Sequence, residues 1–132
     1  MQSLVQQWQK DNCVKNMEME ELTEKYNSNI KRIDELEEEK KEYSHFMDNV
    51  LECSDRYIND YVRFLDEKNH LNAGIVELIS DAIAIYKAER SKKIEKYEDT
   101  MNDYNNRINR IYEENEEISY QLKQENEGNE NE

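Results

Sequence analysis

Proline is absent from the 132 residues, and glycine occurs twice. Average usage would place roughly six or seven prolines and about nine glycines in a chain of this length. Those residues shape the corners of all-β and α/β folds, so their scarcity excludes architectures with many turns and leaves long helices. Leu, Ile, Val and Phe together contribute 26 residues, too few for a deep globular core and close to the level at which chains stay disordered. Positive charge is also short, with 18 Lys and Arg against 32 Asp and Glu and a net charge of −14. A balance this acidic lacks the electrostatic footprint of a nucleic-acid or anionic-membrane binder and disfavours both partners. No apolar run approaches the roughly 18 residues of a membrane span, and Met1 to Lys10 lack the basic and apolar regions of a signal peptide. The expectation is a cytosolic chain without membrane insertion. The two cysteines, Cys13 and Cys53, would lie about 60 Å apart on one straight helix, so they read as free thiols.

Hydrophobic spacing decides between a disordered polyampholyte and long helices. From Leu22, alternating steps of four and three residues land on Leu22, Tyr26, Asn29, Ile33, Leu36, Lys40, Tyr43, Met47, Val50, Ser54, Tyr57, Tyr61 and Phe64, and ten of these thirteen are apolar or Tyr. The same steps run back from Leu122 through Ile118, Asn115, Ile111, Ile108, Tyr104, Met101 and Tyr97 to Ile94. This is a heptad seam. Two successive four-residue steps, Tyr86 to Arg90 to Ile94, form a stutter that locally relaxes a supercoil.

The two seams are separated by Lys68-Asn69-His70-Leu71-Asn72-Ala73-Gly74, where Asn and Gly can cap a helix or tolerate left-handed backbone. A turn over residues 69–74 predicts an all-α fold, an antiparallel two-helix coiled-coil hairpin over 22–122 with long arms. It leaves residues 1–21 as an N-terminal helical overhang and 123–132 as a disordered acidic tail. Labelling Met47 a and Val50 d, antiparallel arms should bring a opposite d in layers whose residue numbers share one sum, 144 when the turn centres on Asn72. That register pairs Leu36 with Ile108, Met47 with Tyr97, and Asn29 with Asn115. A buried Asn pair fixes register at some cost in stability, so Asn29 and Asn115 are the expected register-setting residues.

Chemistry finds little purchase. Glu42 with His45, and Glu67 with His70, match the Glu-x-x-His spacing of di-iron bundles, but Glu42 and His45 fall on outward heptad positions and His70 in the turn. Neither cysteine has a second Cys or a His at zinc-ligand spacing, and there is no Gly-rich phosphate loop or Gly-x-Ser-x-Gly. The reading is a non-enzyme with no cofactor and no metal.

A second apolar stripe is more informative. Beside the seam, the turn-proximal half carries Phe46, Leu51, Cys53, Ile58 and Leu65 on the first arm, largely at e and g, and Ile79, Ile83 and Ile85 on the second. This widens the apolar face beyond what one antiparallel helix covers. Phe46, Leu51, Ile58, Leu65, Ile79 and Ile83 are therefore the expected partner-binding residues. Glutamates at Leu51 and Ile58 should leave helicity intact while abolishing association. Trp8, on the overhang, is a further candidate anchor because Trp is enriched at binding hot spots. The half far from the turn has few such residues and much acid. The occupant of the stripe stays open between a second copy, giving a four-helix bundle, and a different helical protein.

A small acidic helical hairpin with a spare apolar stripe resembles the accessory partners of LXG toxins in bacterial type VII secretion and, more distantly, the WXG100 proteins. The resemblance covers about residues 14–122 and is architectural. The Trp-x-Gly of the WXG100 turn is replaced here by Leu71-Asn72-Ala73-Gly74, and Tyr112 with Glu116 is the single match to the Tyr-x-x-x-Asp/Glu export signal. It implies an adaptor or targeting chaperone that binds the helical targeting domain of a toxin, with export by a route needing no signal peptide. Two other readings compete: an acidic nucleic-acid mimic that inhibits a basic protein, and a structural coiled-coil homodimer. The apolar stripe separates them, since a charge mimic has no use for Phe46, Leu51 and Ile58.

Overall fold

A computed structural model describes residues 3–67 and 72–130, without the side chains of residues 8, 10–16, 129 and 130. The described residues form two long helices that pack against each other, α1 (Leu4–Glu67) and α2 (Ala73–Glu130). Both lack proline and are rich in Glu, Lys, Gln and Arg, which lose little side-chain freedom in a helix. Helix α1 opens on a capping box. Gln6 N donates to Ser3 Oγ, and Ser3 N donates back to Gln6 Oε1, each at 3.2 Å, so orphan amides of the first turn are satisfied reciprocally. Helix α2 opens on Asn72, whose Oδ1 accepts from Gly74 N at 2.7 Å while its carbonyl accepts from Ile75 N and Val76 N.

Asn72 therefore caps a helix, as its type suggests, but the expected turn is too long at its far end. Ala73 and Gly74 belong to α2, and no glycine has positive φ. Residues 69–71 of that turn lie outside the described residues. The expected disordered tail also needs correcting, since α2 continues to Glu130. Its Lys, Gln and Glu are adequate helix formers, and nothing in 123–130 stops propagation. Met19 and Glu125 are half-buried, so burial extends past the bounds 22 and 122.

The chain divides into two compact units, Met1–Glu37 with Asn105–Glu132, and Glu38–Tyr104. In the first unit Ile33, Leu36, Ile108 and Ile118 are buried, and Leu36 is 1% exposed. Asn115, 6% exposed, lies in that core and is fully bonded: Asn29 Nδ2 donates to its Oδ1 at 2.9 Å, and its Nδ2 donates to the Tyr26 carbonyl at 3.2 Å. In the second unit Ser44 meets Tyr97, Asp55 meets Arg90 and Tyr61 meets Tyr86, so partner numbers fall along α2 as they rise along α1. The expected concentration of acid far from the turn does not hold: each unit carries 16 acidic residues, against eight basic ones in the first and ten in the second.

Candidate functional site

Burial along α1 departs from the expected seam in the second unit, and the departure builds the site. Through Val50 the covered positions are a and d: Ile33, Leu36 and Met47 are buried, and Tyr26, Tyr43 and Val50 half-buried. Beyond it they become a and e: Leu51, Ser54, Tyr61 and Leu65 are half-buried and Ile58 is buried. Tyr43, Met47 and Leu51 are thus two successive four-residue steps, a stutter on α1 in the same unit as the one at Tyr86, Arg90 and Ile94 on α2. A helix whose neighbour relaxes its supercoil must relax with it to stay in contact.

This shift exchanges two sets of residues. Tyr57 and Phe64, assigned from spacing to the seam, are 60% and 40% exposed. Ile58, assigned to the outward stripe, is 8% exposed and is covered by its own chain. A glutamate there would bury a charge inside the helix pair, so the paired Leu51 and Ile58 substitutions would test folding instead of association. Leu51 and Leu65, on the same e side, are half-buried. Aliphatic Leu and Ile fit the narrow space between helices, whereas the larger Tyr57 is left mostly exposed.

What remains on the d and g side of α1 is Phe46, Cys53, Tyr57, Asp60 and Phe64, all exposed, together with half-buried Val50 where this side meets the seam. These six repeat at alternating steps of four and three, a second heptad stripe beside the one facing α2. Phe46 is 62% exposed, and Cys53 is an exposed free thiol. Two shallow grooves run along the stripe. One, of about 350 Å³, is lined by Phe46, Val50, Cys53 and Tyr57 on α1 and by Tyr86, Glu89 and Lys93 on α2. The other, of about 290 Å³, is lined by Tyr57, Asp60, Tyr61, Phe64 and Ile79. Ile79, which lines the second groove, and Ile83 are half-buried, while Ile85 and Leu78 are exposed.

The aromatic rings are held in place by one another. Tyr86 stacks on Tyr57 with centroids 6.4 Å apart and on Tyr61 at 5.7 Å, and Tyr43 stacks on Tyr97 at 5.9 Å. Tyr61, by its charge when ionised and by a hydrogen bond, pushes the Tyr86 phenol above the ordinary tyrosine range, so Tyr86 stays neutral at physiological pH. Arg90 Nε lies 2.6 Å from Asp55 Oδ1, tying α2 to α1 beside the groove. Rings fixed in this way need little ordering when a partner arrives, which lowers the entropic cost of docking.

The remaining sequence candidates lie elsewhere. Asn29 and Asn115 meet directly in the first unit. Tyr112 and Glu116 are exposed, four residues apart on α2, and line a shallow groove with Tyr26, Ile30 and Ile33. Trp8 falls within α1, and its side chain lies outside the described residues. Glu42 and His45 are exposed, and His70 lies outside the described residues. Among the described residues no group of three His, Cys, Asp or Glu could hold a metal ion, and no helix is long and apolar enough to cross a membrane. Spacing missed Tyr57 and Phe64 as surface residues because they continue the seam of residues 22–50 without a break. The signal that could have found them is the stutter on α2, which requires a matching one on α1. No protein-family model matches the chain, and no curated protein or solved structure matches it either.

Proposed function

We propose that the chain is a non-catalytic helical adaptor, an antiparallel coiled-coil hairpin that docks a helix of a client protein along the outward stripe of α1. The observation that carries this is the doubled heptad in the second unit, where α1 spends its a and e positions on α2 and leaves Phe46, Tyr57 and Phe64 exposed on the other side. Helices apolar on two adjacent seams belong in bundles, where each seam meets a different neighbour. Nine of the fifteen large exposed hydrophobics fall in this unit, among the described residues. Exposed apolar side chains concentrated in this way mark interaction sites.

The resemblance to accessory partners of LXG toxins gives the client its class, the helical targeting domain of a secreted toxin, and gives exposed Tyr112 and Glu116 the role of an export signal. The test is co-expression with helical products of adjacent genes. Wild type should co-purify with its client, and Phe46→Glu combined with Tyr57→Glu should abolish this while the far-UV circular dichroism stays unchanged. Co-purification that survives the double substitution but disappears in half-molar salt would favour an acidic mimic of nucleic acid instead.

A further inference from the structure

Resting on the reading of the outward stripe as a helix-docking face, we infer that a second copy of this chain occupies it when no client is bound, with the two α1 helices antiparallel. The stripe is self-complementary in that direction. Antiparallel seams pair g with d, which sets Phe46 against the second copy's Phe64, Val50 against its Asp60 and Cys53 against its Tyr57. Aromatic meets aromatic at both ends, and a small side chain meets a large one at the centre. The same operation repeats each contact, as a two-fold interface requires.

Charge selects the antiparallel pairing over the parallel one. Lys93 lines the groove at its Phe46 end, and Asp60 lines it at its Phe64 end. A two-fold pairing brings Lys93 of each copy to Asp60 of the other, whereas a parallel pairing sets Lys93 against Lys93 and Asp60 against Asp60. Asp60 is the one charged member of the stripe, so its pairing decides whether that layer can close. Glu89, the remaining charged side chain of these grooves, sits one turn from Lys93 on α2 and level with the middle of the stripe, within reach of both copies' Lys93. A docked copy covers the aromatic surface and must leave before a client helix can bind, so self-association and client binding are competing events.

The experiment is sedimentation of the full chain at high-micromolar concentration, with charge variants on both sides. Wild type should be dimeric. Lys93→Asp and Asp60→Lys should each weaken the dimer about tenfold, and the two together should restore it. Nitroxides at positions 46 and 64, in a background with both cysteines replaced by serine, should be close between copies for a 46–64 pair and distant for a 46–46 pair. A monomer at this concentration, a double variant as weak as the single ones, or a short 46–46 distance overturns the inference. If the chain is monomeric and Phe46→Glu with Tyr57→Glu still abolishes client co-purification, the docking face stands and only its second-copy occupant is wrong. If client binding is also unaffected, the face itself has been misassigned.

Discussion

At the residue scale, polar contacts in the first unit do what its few apolar groups do not. Asn115 satisfies its side chain across the helix pair through Asn29 and the Tyr26 carbonyl, so removing one partner strands a buried donor or acceptor. Asn29→Ala should lower stability by about 1–2 kcal/mol in urea unfolding. Replacing both Asn29 and Asn115 by Leu should recover that loss while allowing other helix registers, visible as broadened inter-label distances. Beside this layer Lys25 Nζ lies 2.9 Å from Glu114 Oε1. The hydrogen bond from Lys25, then one from Asn29, holds the Glu114 carboxyl below the usual carboxylate range, and the same pair raises the Lys25 amine. The pair is present at neutral pH. Its contribution is lost as pH falls through the depressed Glu114 value, and lost again as pH rises through the elevated Lys25 value. Lys25→Met should therefore be less stable than wild type at neutral pH, with the difference vanishing in acid. A difference unchanged by acid in paired unfolding curves would assign the effect to packing.

At the scale of the element, much was legible in the residues and the exceptions have physical causes. Missing proline and the spacing of Leu22 to Val50 announce a long helix with its a and d side covered, and Ile33, Leu36 and Met47 are buried there. The meeting of Asn29 with Asn115 is also readable from spacing, once the break between seams is placed near Asn72. The capping box at Ser3 and Gln6 stands in the sequence as Ser-x-x-Gln, a polar signal that lies outside the apolar periodicity. The change from d to e at Leu51 was not legible on α1 alone. Tyr57 and Ile58 are adjacent, both apolar enough for a seam, and only the pitch of the opposing helix decides which is covered. The start of α2 is a simpler case, since one side chain closes the first turn. Asn72→Ala should cost about 1 kcal/mol in thermal or urea unfolding, and Asn72→Asp should retain most of the stability. An unchanged stability in the alanine variant would mean that water replaces the cap.

At the scale of the whole molecule, a chain with few apolar residues uses them on two sides of one helix. Acid is spread over both units and marks no site, and the marking is left to exposed aromatics. The proposed adaptor function rests on that division, because the a and e positions hold the chain's own two helices together and most d and g positions beyond them stay exposed. The most direct measurement is a nitroxide accessibility scan of the full, dilute chain at positions 46, 57 and 64 against 51, 58 and 65, repeated with a docked helix, either a client or the second copy at high concentration. The account predicts that 51, 58 and 65 are shielded in both states, while 46, 57 and 64 are open in the dilute chain and become shielded on docking. Accessible label at 58 in the dilute chain, or no change at 46, 57 and 64 on docking, would contradict it.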